Sequence, residues 1–292
     1  MMAPISGPAM IGRASDLQAL TAALFDAQRG VSRCVVIGGE AGMGKTRLLE
    51  EFRATIDSTI VVLSAECVDL GPLGVPFGPV RAILRQLVSA VGVDAVLAAA
   101  GAGRSAIVAL LPELAERIDD SEIGLEPLHE TITSIFSAFS RDRTIVILLD
   151  DLQWADAASL ALVRYLLRMA SSEQLLAVMA YRSDDTGHTH PLRQMLAELD
   201  RARVITRRVL QPLDNDNVGA LVTSLRGSEP EHDVIAGIAS RSQGVPFYVE
   251  ELVALGGDRI PDTLRDVLHA VARCWSSSHR DARSPTSTVV GS

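Results

Sequence analysis

The sequence predicts an α/β fold, a mostly parallel β-sheet flanked by helices and followed by a small helical domain. Three observations predict it. Short β-branched or apolar runs alternate with helical patterns as far as residue 210, the order expected when crossover helices connect parallel strands. The run Thr144-Ile145-Val146-Ile147-Leu148-Leu149 has no polar alternation and fits a central strand buried on both faces, although a turn of buried helix shares that pattern. Beyond Pro212 the strand-like runs stop and helical patterns alone remain.

Taken in order, residues 1–10 read as a flexible leader, and Ile11 to Phe25 as a short entry segment and then a helix with Leu17, Leu20 and Leu24 on one face. Cys34-Val35-Val36-Ile37 is a first strand running into Gly38-Gly39. Helix is expected over Arg47 to Phe52 and a second strand over Thr59 to Leu63. Pro72, Gly74, Pro76, Gly78 and Pro79 break the pattern before a helix near Val80 to Val88. The alanine- and leucine-rich residues 90–118 predict one or two helices interrupted at Gly101 to Gly103, with packing as their role. Helix over His129 to Phe139 leads to the strand ending at Leu149. Then come helix from Ala157 to Met169, strand from Leu175 to Tyr181, helix from Pro191 to Leu199 and strand from Val204 to Leu210. Asp214 is placed to cap a helix running through Val218 to Leu225, and two more helices fit His232 to Ser240 and Phe247 to Leu255. The core therefore spans 11–213, a helical lid and the start of a following segment span 214–275, and the serine-rich residues 276–292 read as a disordered tail.

Composition removes several function classes. At 292 residues and 48% hydrophobic content the chain can bury a sizeable core, so it is neither a disulfide scaffold nor a short peptide module. A formal charge of −9 opposes nucleic acid and anionic membrane unless a local patch overrides it. The nearest patch, Arg201, Arg203, Arg207 and Arg208, reads as a charged edge strand or solvated face. Cys34, Cys67 and Cys274 are odd in number and widely spaced, as ordinary thiols in a reducing cytoplasm are. The N-terminus has no secretory pattern, and residues 90–111 are interrupted by Asp94, Gly101, Gly103 and Arg104, against a bilayer span. The expectation is a cytoplasmic protein. His188 and His190 flank Thr189 at a spacing open to a metal and read as an ordinary polar loop.

The chemistry concentrates at Gly39-Glu40-Ala41-Gly42-Met43-Gly44-Lys45-Thr46, which fills the G-x-x-x-x-G-K-[ST] pattern between a β-branched strand and a helix. Its glycines let the backbone turn tightly with N–H groups aimed at phosphates, and the following helix adds its positive end. Lys45 reaches the β and γ phosphates, and Thr46 places its hydroxyl on Mg²⁺. The fold class is thereby narrowed to a P-loop NTPase that binds ATP, or a closely related nucleotide such as ADP, with Mg²⁺.

Asp150 and Asp151 follow the apolar run directly, at the carboxyl end of a parallel strand, where ligands of open α/β sheets bind. Asp150 is the candidate for the Mg²⁺ shell, since a hard cation prefers oxygen ligands and often keeps waters. Asp151 is the candidate to orient an attacking water or accept its proton, with one methylene less reach than glutamate. Arg182 ends the next strand, which should neighbour the aspartate-bearing one. It reads either as a γ-phosphate sensor or as a surface arginine closing a strand.

Together, Ile11-Gly12-Arg13, the phosphate loop, Asp150-Asp151-Leu152-Gln153-Trp154-Ala155-Asp156, Tyr181-Arg182 and Gly244-Val245-Pro246-Phe247-Tyr248-Val249-Glu250-Glu251-Leu252 carry a family resemblance. From about residue 10 to about 270 the chain resembles the AAA-type ATPase module of large bacterial LuxR-type transcriptional regulators, which belong to the signal-transduction ATPases with numerous domains. The resemblance implies that Gly12 and Arg13 lie near adenine and ribose, that Gly39 to Thr46 is the Walker A loop, and that Asp150 is the Walker B magnesium residue. It implies that Asp151 occupies the place of a catalytic glutamate, that Arg182 senses the γ phosphate, and that Pro246 belongs to a lid closing over the base. Family members act as switches, with ADP holding a closed resting form and inducer plus ATP favouring an open, self-associating form. They continue into a winged-helix segment, helical sensor repeats and a helix-turn-helix. Pro261 to Leu268 resembles the start of the next segment, but Cys274 to Ser292 turns polar, so the expectation is a short relative or a truncated regulator without direct DNA binding.

Two functions thus stand against each other: an ATP-binding, slowly hydrolysing switch with self-association or a regulatory protein as partner, and a non-catalytic interaction module stabilised by nucleotide. Direct DNA binding is disfavoured by charge, and no acceptor pocket for a small-molecule kinase is legible.

Overall fold

The computed structural model describes residues 10–69, 76–117, 127–170, 173–187 and 189–256. The expectations for residues 1–9, for 70–75, for His188, for Pro261 to Leu268, for Cys274 and for the tail lie outside these residues. Two compact units result among the described residues: Gly12 to Gln211, and Pro212 to Gly256 together with Met10 and Ile11.

The larger unit is built on β1 (Arg33–Gly39), β2 (Val61–Glu66), β3 (Ile145–Asp150), β4 (Leu175–Arg182) and β5 (Thr206–Val209), all parallel, in the order β2-β3-β4-β1-β5 among the described residues. β3 is buried along Ile145 to Leu149, which explains its unbroken apolar run; β4 pairs with it, as expected. Registers align the strand ends, with Gly39 opposite Arg182 and Glu66 opposite Asp150.

Helices α1 (Ala14–Gln28), α2 (Lys45–Thr55), α3 (Gly78–Val91), α4 (Val93–Ala100), α5 (Arg104–Leu110), α6 (Leu128–Ser140), α7 (Ala157–Met169) and α8 (Pro191–Arg201) complete this unit. A 3₁₀ turn at Gly101–Gly103 separates α4 from α5. Close packing requires glycine there, since a Cβ on Gly103 would lie 2.0 Å from Thr131 Oγ1 of α6. Val93–Leu110 is, among the described residues, the one stretch long and apolar enough to cross a membrane by length and composition. Val96, Leu97, Ala100, Ile107 and Leu110 of this stretch are buried in the protein core.

Two strand boundaries move for local reasons. β2 begins at Val61 rather than Thr59, because Asp57 Oδ1 accepts the Thr59 N–H at 2.8 Å and holds the preceding residues in a turn. β5 begins at Thr206 rather than Val204, because Arg203 adopts φ +55° and the Val204 N–H still closes α8 onto Leu199 O. The arginine cluster falls partly on this edge strand, and there Arg207 and Arg208 meet Asp200 and Asp16. Among the described cysteines, Cys34 and Cys67 are buried free thiols.

The smaller unit holds α9 (Asn215–Arg226), α10 (His232–Ser242) and α11 (Pro246–Ala254) around Leu213, Val218, Leu221, Val222, Ile238, Val249 and Leu252. Asp214 caps α9 by accepting the Asn217 N–H at 2.8 Å. Gly244 has φ +74°, and a Cβ there would sit 2.2 Å from Leu213 O, so only glycine fits this turn into Pro246.

Candidate functional site

The phosphate loop connects β1 to α2. Gly42 and Gly44 take φ of +79° and +83°, the left-handed region that glycine enters without a Cβ penalty. Gly39 has no such need: it ends β1, and a Cβ would meet Leu210 and Met43 at an ordinary 3.5 Å. The Gly44 cap of α2 provides no side-chain hydrogen bond, so the first-turn amides of Lys45 and Thr46 are available to an anion.

Lys45 is 6% exposed, and its Nζ donates to Gly39 O at 2.8 Å and Glu40 O at 2.7 Å. Burial, and then the nearby Arg182 charge, lower its pKa, while Asp184, Asp151 and Asp150 oppose that shift. A buried ammonium held by two neutral carbonyls is suited to exchange them for phosphate oxygens.

Arg13 supports the loop from outside. It is 5% exposed and donates from Nη1 to Gln211 O at 2.7 Å and from Nη2 to Met43 O at 3.1 Å, tying the start of α1 to the loop and to the chain after β5. Burial lowers its pKa, partly offset by Asp16.

At the end of β3 the Thr46 side chain hydrogen-bonds the Asp150 carboxylate, and the Asp151 N–H donates to Asp150 Oδ1 at 2.8 Å. Burial pushes the Asp150 carboxyl above its ordinary value, and these two hydrogen bonds pull it back in part. A hydroxyl and a carboxylate brought together in this way are a hard-oxygen donor pair that fits Mg²⁺, which takes few protein ligands and completes its octahedron with water and phosphate. No group of three or more His, Cys, Asp or Glu residues able to hold a metal occurs among the described residues.

β4 lies between the loop-bearing β1 and the carboxylate-bearing β3, and it delivers Arg182 between them. Arg182 Nε and Nη2 each reach the Asp151 carboxylate at 3.2 Å. Burial alone would lower the pKa of Arg182, yet the Asp151 bonds raise it. Asp151 itself takes φ +49°, ψ +43°, a costly conformation for a residue with a side chain. Cys67, which follows β2, is pushed up to about 12 by burial and by Asp150, and so stays a thiol.

The larger unit therefore brings together Gly39, Glu40, Ala41, Gly42, Met43, Gly44, Lys45, Thr46, Asp150, Asp151 and Arg182, with Arg13 behind the loop. Gly12 precedes α1 at φ +71°. Pro246 opens α11 of the helical unit. His190 caps α8, its Nδ1 accepting the Leu192 N–H at 3.2 Å.

Two residues of the Asp150 to Asp156 motif take roles that the sequence did not assign. Asp156 caps α7, accepting the Ser159 N–H at 2.9 Å and the Phe77 N–H at 3.1 Å. Its signal was available as an aspartate three residues before Ser159 at a helix start. Gln153 is buried and bonds both Asp151 and Arg182, and nothing in its local sequence announces this.

A family model described as AAA ATPase domain matches residues 9–179. An uncharacterized protein of Rhizobium meliloti (strain 1021) is 26% identical over 285 residues, covering 89% of this chain and 26% of that protein, so the chain spans about a quarter of that relative's length. The Walker-type ATPase paby2304 of Pyrococcus abyssi superposes with a TM-score of 0.55 at 12% identity, over 94% of this chain and 76% of that one. A chain of the Drosophila ORC structure bound to DNA gives 0.53 at 13% identity, over 92% and 59%. At these identities the two structures establish the shared P-loop α/β fold.

Proposed function

We propose, on the premise that this chain belongs to the AAA ATPase domain family, that it is an ATP-dependent switch module that hydrolyses ATP slowly, of the kind found in LuxR-type regulators. The observation that carries this reading is the meeting of three devices at the ends of adjacent strands β1, β4 and β3: the lysine-bearing loop, Arg182, and the Thr46–Asp150 pair.

On this reading Lys45 leaves the Gly39 and Glu40 carbonyls for the β and γ phosphates, while the loop amides hold the remaining oxygens. The Thr46 hydroxyl and Asp150 would hold Mg²⁺, which would supply neutralisation of the phosphate charge. Arg182 leaves Asp151 for the γ phosphate, and Asp151 is freed to orient a water. The water oxygen bonds to the γ phosphorus as the bond to the β–γ bridging oxygen breaks, giving ADP and phosphate. Gly12 and Arg13 on the base side, and Pro246 as part of a lid, belong to the same proposal. So do self-association or a regulatory protein as partner.

One observation favours a second reading, the nucleotide-stabilised module without turnover. Asp151 is both short and engaged with Arg182, so no carboxylate is pre-aimed at a water. Phosphate release separates the two. The switch reading expects Mg²⁺-dependent release that Lys45→Ala and Asp151→Asn abolish. Release at the Lys45→Ala level in the wild type, with ATP still bound, establishes the second.

A further inference from the structure

Gln153 has no role in the chemistry above, yet both ends of its side chain are committed at the site. It is 3% exposed. Its Nε2 donates to Asp151 Oδ1 at 2.9 Å, the oxygen that also accepts Arg182 Nε at 3.2 Å. Its Oε1 accepts the backbone N–H of Arg182 at 2.9 Å. The 3₁₀ turn Leu152–Trp154, entered through the left-handed Asp151, places the amide between the end of β3 and the end of β4.

We propose that Gln153 is a positioning residue: it fixes the Asp151 carboxylate to the end of β3, so that Arg182 can leave for the γ phosphate without drawing Asp151 along. The inference rests on the ATP reading above. An arginine that moved with its carboxylate partner would carry no net charge to the phosphate, and the carboxylate would then face an anion. A carboxylate held by a second donor stays behind when the arginine leaves. A neutral amide suits this role because it donates to Asp151 and accepts from Arg182 at once, which neither a carboxylate nor an ammonium does. Burial strengthens the hold, since either polar end left unpaired would forfeit its solvation.

The test uses the full chain and two variants. Gln153→Met keeps length and removes both hydrogen bonds. Gln153→Glu keeps the acceptor for Arg182 and replaces the donor with a second carboxylate beside Asp151. Affinities for Mg·ATP and Mg·ADP are measured calorimetrically, and phosphate release separately. The expectation is ADP affinity within about twofold of wild type in both variants, and an ATP-over-ADP preference about fivefold lower for Met and lower still for Glu. Turnover falls about tenfold or more, with kcat moving further than KM. A space-filling role predicts a native-like Met variant, so an unchanged affinity ratio and unchanged turnover there overturn the proposal. If the Met variant fails to fold, the Glu variant decides by the same ratio. If the wild type shows no hydrolysis, the catalytic reading fails by itself, and the affinity ratio still decides the role of Gln153.

Discussion

Replacing Asp151 by asparagine should strengthen ATP binding while abolishing turnover. The Asp151 carboxylate holds Arg182 through two bonds of 3.2 Å. ATP competes with that pair for Arg182, whose Nη1 also lies 4.0 Å from Asp185 Oδ2. Asp151 is 16% exposed but Arg182 is 36% exposed, so solvent screens the attraction. Exposed pairs contribute about 0.2–1 kcal/mol and loss of one partner of a fully buried pair costs about 3–5 kcal/mol; with more than a third of the arginine in water, about 1 kcal/mol applies. Asparagine removes this competitor, so Mg·ATP affinity should rise about fivefold. Mg·ADP, which lacks the γ phosphate, should bind as before. Phosphate release should fall to the Lys45→Ala level. Adding Arg182→Met should erase the affinity gain, since the two side chains act through one contact. Titration calorimetry of the four proteins reads the cycle. An Asp151→Asn variant that binds ATP no better than wild type, or a gain that survives Arg182→Met, refutes the reasoning.

Two further outcomes follow from the same geometry. Burial raises the Asp150 carboxyl, so the folded state retains this proton to higher pH than the unfolded chain does. Its contribution to stability is full below the ordinary carboxyl value of about 3.9 and is lost as pH rises through the raised folded value. Asp150→Asn should therefore melt above wild type at neutral pH without Mg²⁺, the difference shrinking in acid, and each kcal/mol relieved should appear as about 2–4 °C. Mg·ATP should then stabilise the wild type more than the variant, and a variant melting below wild type at neutral pH contradicts this. Asp156→Ala removes the cap of α7 together with the Phe77 contact, so denaturant unfolding should show a loss of about 1–2 kcal/mol, with ADP affinity unchanged.

Much of this was legible in the sequence because the signals are local. The strand–loop–helix at Gly39 to Lys45 and the buried run ending at Asp150 are each written within a few residues. The pairing of β4 with β3 followed from the same reading. What was not legible depends on contacts across the chain. Arg182 was placed near the γ phosphate, but its commitment to Asp151 requires the register of two strands and the left-handed turn at Asp151. Arg13 has no sequence mark of its role as a brace, because its acceptors are backbone carbonyls of Met43 and Gln211. Gln153 is hidden for the same reason, its partner lying 29 positions away. The glycines illustrate the difference further: the loop pattern demands glycine at Gly39 and Gly44 and leaves Gly42 open, whereas positive φ is needed at Gly42 and Gly44.

The central claim is that the loop carrying Lys45 binds the triphosphate. Lys45→Ala is an interpretable perturbation, because Gly39 O also accepts the Ser183 N–H and Glu40 lies at the surface, so neither carbonyl is stranded in the core. Charge-assisted bonds contribute about 1.5–3 kcal/mol each, and Lys45 has two to transfer to phosphate. Calorimetric titration of Mg·ATP should show saturable binding to the wild type and a loss of about 10²-fold or more in Lys45→Ala. Equal affinities in the two proteins, or no binding to the wild type, would contradict the account.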